Sequence, residues 1–112
     1  MRKRKHSNIV VVLVTCPTLA VARRLARHVI GRRLAACVNI VPSVESVFRW
    51  NGKIEHSRES LLVIKTTAQS IERLRRALIA LHPYDVPEVI ALPVVAGHLP
   101  YLAWVRSSTL PS

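Results

Sequence analysis

Residues 34–67 read LAACVNIVPSVESVFRWNGKIEHSRESLLVIKTT, and their pattern decides the fold. Asn51-Gly52 at the centre is the strongest short-range hairpin signal, because both central residues of a type I′ turn need positive φ. On the near side, residues 34–50 are rich in Val and Ile, and Pro42-Ser43 predicts a bulge or bend within a long strand. On the far side, a partner strand is predicted over residues 53–67. Its second half, Leu61-Leu62-Val63-Ile64, is apolar on both faces, whereas Glu55-His56-Ser57-Arg58-Glu59 is polar. The hairpin tip therefore projects beyond the core.

Working outward, residues 8–15 are dominated by Ile and Val between Ser7-Asn8 and Pro17, the mark of a strand buried on both faces. Thr18 then supplies an N-cap, and Ala22, Leu25, Ala26 and Val29 recur at helical spacing while Arg23, Arg24 and Arg27 fall mostly elsewhere. The spacing predicts a helix to about Gly31. Ser70 is the predicted cap of a second helix, in which Ile71, Leu74, Leu78 and Leu81 form one stripe and Arg73, Arg75 and Arg76 lie off it. His82-Pro83 ends it, since a His suits a helix C-terminus and Pro removes a donor. Residues 86–96, with Pro87 and Pro93, predict a strand at an edge or bulged position. A short C-terminal helix over residues 100–107 directs Leu102 and Val105 inward.

The order β-α-β-β-α-β is the ferredoxin-like, or split βαβ, arrangement of the α+β class, with two helices on one face of an antiparallel sheet. Strands apolar on both faces leave the second face in need of cover, and self-association is its simplest source.

At 112 residues the chain fits one domain, expected over residues 8–112 after a basic, flexible tail at residues 1–7. The apolar stretch behind Met1-Arg2-Lys3-Arg4-Lys5 is too short for a signal peptide, and no run approaches the roughly 18 apolar residues of a membrane span. No membrane partner is expected. Cys16 and Cys37 form neither a disulfide framework nor a Cys-x-x-Cys site, so the cytoplasm is the expected compartment. The 17 Lys and Arg against 6 Asp and Glu give a formal charge of +11, and Arg2, Lys3, Arg4, Lys5, Arg23, Arg24, Arg27, Arg32 and Arg33 all precede the first carboxylate, Glu45. Such a bias favours polyanions. No recognition module accompanies it, however, and Phe48, Trp50, Tyr84, Tyr101 and Trp104 do not interleave with the helix arginines. A solvated basic face is the plainer reading, and nucleic acid is not an expected partner. Without a nucleophile beside a base, paired carboxylates or a Gly-rich phosphate loop, the chain does not read as an enzyme.

Six collinear segments carry a family resemblance: Val14-Thr15-Cys16-Pro17; Leu34-Ala35-Ala36-Cys37-Val38-Asn39-Ile40; Trp50-Asn51-Gly52-Lys53-Ile54; Ile64-Lys65-Thr66-Thr67; His82-Pro83-Tyr84-Asp85-Val86-Pro87-Glu88; and Tyr101-Leu102-Ala103-Trp104. Together they resemble the CutA divalent-cation-tolerance family over residues 8–106. The resemblance implies a homotrimer with long hairpins wrapping neighbouring subunits, a link to tolerance of copper and other divalent metals, and no established enzymatic activity. It makes copper or another divalent ion the implied ligand, none being obligatory.

Cys16 and His82 are the implied metal ligands. Some relatives carry a cysteine where this chain has Val14 and a His-His pair where it has Leu81-His82; Cys16 points to the same side of a strand as Val14. Where many relatives have Glu, this chain has Asn51. Cys37, Trp50, Glu59, Lys65, Tyr84 and Glu88 are the residues that the resemblance places at clefts between subunits. Lys65, in an apolar strand, requires a partner, and Glu88 or Glu59 is the expected one. Two other readings stand beside metal tolerance: a trimeric small-ligand sensor using Lys65, His82, Tyr84 and Glu88, and anion or nucleic-acid association through the helix arginines.

Overall fold

A computed structural model describes residues 7–111. The elements run β1 (Ile9–Cys16), α1 (Leu19–Gly31), β2 (Cys37–Trp50), β3 (Lys53–Thr67), a 3₁₀ turn (Ala68–Ser70), α2 (Ile71–Leu81), β4 (Ile90–Pro93) and α3 (Leu99–Ser107). The four strands form one antiparallel sheet in the order β2-β3-β1-β4, which is the ferredoxin-like arrangement. The predicted basic tail falls on residues 1–7, of which residues 1–6 lie outside the described residues. Ser7 itself is tied down, donating from Oγ to the Val94 carbonyl at 2.6 Å.

The hairpin follows its turn chemistry. Asn51 and Gly52 adopt φ of 52° and 77°, so both central positions are left-handed and the strands leave with the twist a sheet requires. The pairing between β2 and β3 shifts register between Val41 and Val44, where Pro42 cannot donate to the ladder. Ser60 Oγ donates to the Pro42 carbonyl at 2.8 Å and satisfies the displaced backbone. Past this bulge the hairpin extends away from the body, and the radius of gyration is 15.1 Å against about 13 Å for a compact chain of this length.

The core lies on one side of the sheet. Val10, Val12, Val14 and Cys16 from β1, with Leu62 and Ile64 from β3, pack against Ala22, Leu25 and Val29 of α1 and Leu74 and Leu78 of α2. Thr18 caps α1 by accepting from the Val21 N–H at 3.1 Å. The expected cap of α2 differs: Ser70 is fully buried and its hydroxyl pairs with Thr67 Oγ1 at 2.9 Å, leaving no side-chain cap. The 3₁₀ turn supplies the entry to α2 instead. The fourth strand is shorter than predicted, four residues in place of residues 86–96, because Pro87 and Pro93 both lack the N–H that a longer ladder needs.

Side chains of alternate parity face the other way. Val11, Leu13 and Thr15 stand beside Lys65, Val63 and Leu61 across the β1–β3 register, and Leu92 and Ile90 extend this row on β4. At one end α3 covers the face, with Leu102 and Val105 buried against Ile9. The remainder is half-buried or exposed, Ile90 by 50% and Leu92 by 47%.

Candidate functional site

Beyond the bulge, the uncovered face continues along the hairpin. Val44, Ser46, Phe48 and Trp50 share parity with their partners Glu59, Ser57, Glu55 and Lys53. The loop after α2 rises opposite this surface, and the two enclose a cleft of about 840 Å³ lined by Phe48, Trp50, Tyr84, Val86 and four carboxylates, Glu55, Glu59, Asp85 and Glu88. The chain has six acidic residues in all. Four of them thus line one cleft of a strongly basic protein.

Glu59 anchors this cleft, 7% exposed at the last strand position before the hairpin leaves the body. Tyr84 donates its hydroxyl hydrogen to Glu59 Oε2 at 2.8 Å. Burial, then the bond to Glu59 and its charge, push the Tyr84 phenol up to about 12. A phenol that stays protonated remains a hydrogen-bond donor to that carboxylate.

Tyr84 is placed in turn by His82, just past the end of α2. The Tyr84 N–H donates to His82 Nδ1 at 3.1 Å, and His82 Nε2 lies 2.7 Å from the Thr15 carbonyl. A carbonyl can only accept and an amide N–H can only donate, so the ring is the neutral form with its proton on Nε2. Both nitrogens are occupied by the chain itself. Cys16 is fully buried beside this clamp, and burial followed by the nearby Glu59 charge raises its thiol to about 11. Because the thiolate is the metal-binding form, neither Cys16 nor His82 presents a free ligand atom in this geometry. Among the described residues no group of three or more His, Cys, Asp or Glu converges as a metal cage.

The cleft residues named from sequence divide into two places. Trp50, Glu59, Tyr84 and Glu88 line the cleft together. Cys37 and Lys65 lie at the other end of the sheet, Lys65 being six residues from Glu59 along β3, roughly 20 Å at strand rise. There Lys65 Nζ donates to Asn39 Oδ1 and approaches Cys37 Sγ at 3.8 Å. Within one chain, therefore, Lys65 meets neither carboxylate: it shares a sheet face with Glu59 but stands six positions along β3, and Glu88 lies in the loop beside Glu59. Sequence reasoning missed Phe48, Glu55 and Asp85. Counting back in twos from Trp50 and from Glu59 finds the first two; Asp85 required the position of the loop.

Similar proteins fit this geometry. The profile of the family described as "CutA1 divalent ion tolerance protein" matches residues 10–108. The "Divalent-cation tolerance protein CutA" of Thermus thermophilus is 48% identical over 99 residues, 88% of this chain and 96% of that protein. "Protein CutA" of Homo sapiens is 50% identical over 96 residues, covering 86% of this chain but only 54% of the longer human protein. Among solved structures, CutA1 from Oryza sativa superposes with a TM-score of 0.90 at 49% identity, covering 93% of this chain and 95% of that one. The Thermus thermophilus structure gives 0.89 at 46%, covering 90% and 98%. The chain belongs to the CutA1 divalent ion tolerance family.

Proposed function

We propose that this chain acts as a trimeric, non-catalytic binding protein in divalent-cation tolerance, copper or another divalent ion being drawn to the cleft between the hairpin and the loop after α2. The observation that carries this reading is the gathering of Glu55, Glu59, Asp85 and Glu88 there, against a formal charge of +11 overall. Carboxylate oxygens around a wet cleft favour cations through local potential without a closed coordination shell. Cys16 and His82, the softer ligands, act in this reading as the buried support that positions Tyr84 and hence Glu59. The cleft opens onto the uncovered sheet face, so the copies that cover this face complete it, and Lys65 pairs with a carboxylate of a neighbouring copy.

The exposed rings of Phe48 and Trp50 favour one further reading, a sensor for a small organic ligand, since aromatic walls with a few polar groups are typical of such pockets. Calorimetric titration with copper, zinc, manganese and magnesium salts, and with a panel of metabolites, separates the two. Metal binding that weakens at least tenfold in Glu59→Gln or Glu88→Gln and persists in Cys16→Ala supports the cation reading. Metal binding indifferent to both carboxylates overturns it, and stabilisation by metabolites alone favours the sensor.

A further inference from the structure

A second cleft, of about 500 Å³, lies at the opposite pole of charge, where the C-terminal end of α3 meets the end of β3 and the loop after α1; its lining includes Arg33, Thr67, Gln69, Arg106, Ser107 and Thr109. Among the described residues it contains two guanidinium groups and no carboxylate side chain. The positions of both are built into the fold. Arg33 has a left-handed backbone, φ 57°, as the residue that stops α1, the Leu34 N–H folding back to the Val29 carbonyl at 2.9 Å. Three contacts hold it: its N–H donates to the Ile30 carbonyl at 3.0 Å, its carbonyl accepts from the Leu110 N–H at 2.9 Å, and its Nη2 donates to the Ser107 carbonyl at 3.0 Å. Arg106 Nη1 donates to the Ser7 carbonyl at 3.1 Å. Arg73 reaches the same C-terminal segment, with Nη2 donating to the Pro111 carbonyl at 3.1 Å.

Every one of these protein partners is a neutral carbonyl. The acidic side chains lie elsewhere: Glu55, Glu59, Asp85 and Glu88 line the acidic cleft, Glu72 is bound by Arg75 at 2.6 Å, and Glu45 stands opposite Arg58 in the hairpin register. That accounts for all six acidic side chains. Among the described residues, Arg33 and Arg106 thus share a cleft with one side-chain N–H each given to a protein carbonyl, of the five that a guanidinium carries. The hydroxyls of Ser107 and Thr109 donate back to the Trp104 and Val105 carbonyls, so recognition falls to the two arginines and the Gln69 amide. Paired planar forks match the oxygens of a tetrahedral anion, and the cleft has the volume of a small-molecule site.

We propose that the cleft formed by Arg33, Arg106 and Gln69 at the end of α3 is a binding site for a small phosphate-bearing anion, either free phosphate or a phosphomonoester. The site uses different residues from the acidic cleft and does not depend on its occupant. The test is titration of the full chain with inorganic phosphate and with glycerol phosphate at constant ionic strength, read by calorimetry and by amide chemical shifts. Phosphate is expected to shift the amides of Arg33, Gln69 and Leu110. Arg33→Gln and Arg106→Gln are each expected to weaken binding at least tenfold, whereas Arg23→Gln, which removes the same charge from α1, changes it less than twofold. Tighter binding of the ester identifies an organic phosphate as the ligand; equal binding identifies the free anion. Absence of phosphate binding, equal weakening by Arg23→Gln, or amide shifts centred on α1 overturns the proposal, and the shifts decide even where a variant fails to fold.

Discussion

Tyr84 and Glu59, from segments 25 residues apart, meet through a 2.8 Å hydrogen bond from the phenol to the carboxylate. The bond joins the loop after α2 to the base of the hairpin, so it fixes the width of the acidic cleft and the position of Glu59. Tyr84→Phe removes the donor and keeps the ring. A buried carboxylate that loses a partner costs about 1–3 kcal/mol, and the denaturation midpoint measured at fixed protein concentration should fall accordingly. Cation binding in the cleft should weaken with it, because Glu59 gains mobility.

His82 should matter for stability directly and for metal affinity only through Tyr84. Nε2–H serves the Thr15 carbonyl and Nδ1 accepts from Tyr84, 2.7 and 3.1 Å away, so His82→Ala leaves two backbone groups without their partners. The expected loss is about 1–3 kcal/mol, with partial recovery in His82→Gln, whose amide offers one donor and one acceptor. Copper titration of the variants should show no greater loss of affinity than Tyr84→Phe shows. A copper affinity tenfold lower in well-folded His82→Ala than in Tyr84→Phe would show that the ring leaves this clamp to bind metal.

Alkaline pH should loosen the protein through Cys16 and Tyr84. The thiol moves from an ordinary 9.0 to about 11 on folding and the phenol from 10.0 to about 12. Between the two values of each group the unfolded chain has released a proton that the folded chain still holds. Stability therefore falls as pH rises. The Cys16 contribution is intact below about pH 9 and gone above about pH 11, and two pKa units correspond to about 2–3 kcal/mol. Denaturation midpoints measured from pH 8 upward should decline more steeply for the wild type than for Cys16→Ala between these limits. Equal slopes would mean that Cys16 ionises as readily in the folded state.

What could be read from the sequence was local, and what could not was set by distances between segments. Asn51-Gly52 announced its own turn, Pro42 its own bulge, and the stripe of Ala22, Leu25 and Val29 its own buried face, because each signal resides in neighbouring residues. Ser70 misled because the nearby Thr67 hydroxyl competes with the helix N–H groups, and propensity cannot rank the two. Trp50, Glu59, Tyr84 and Glu88, which the resemblance places at clefts between subunits, line one cleft within the chain, whereas the register of β3 carries Lys65 roughly 20 Å from Glu59. Only the fold shows that most of the acidic residues gather in one place.

The uncovered sheet face should hold neighbouring copies together. Leu13 lies between Val63 on β3 and Ile90 on β4 in the register, at the middle of a row that α3 covers only at the Ile9 end. Its side chain is not part of the core beneath the helices, so Leu13→Glu should leave the subunit fold largely intact. In an assembly the same carboxylate would be buried without a partner in every copy, at a cost of several kcal/mol each. Native mass spectrometry and light scattering should therefore find a trimer for the wild type and smaller species for Leu13→Glu, both with unchanged far-ultraviolet circular dichroism. Glu45→Gln, a charge change on the opposite face of the hairpin, should leave the trimer unaltered. A wild type that stays monomeric at micromolar concentration would remove the assembly from the proposed function, and with it the expectation that neighbouring copies complete the acidic cleft.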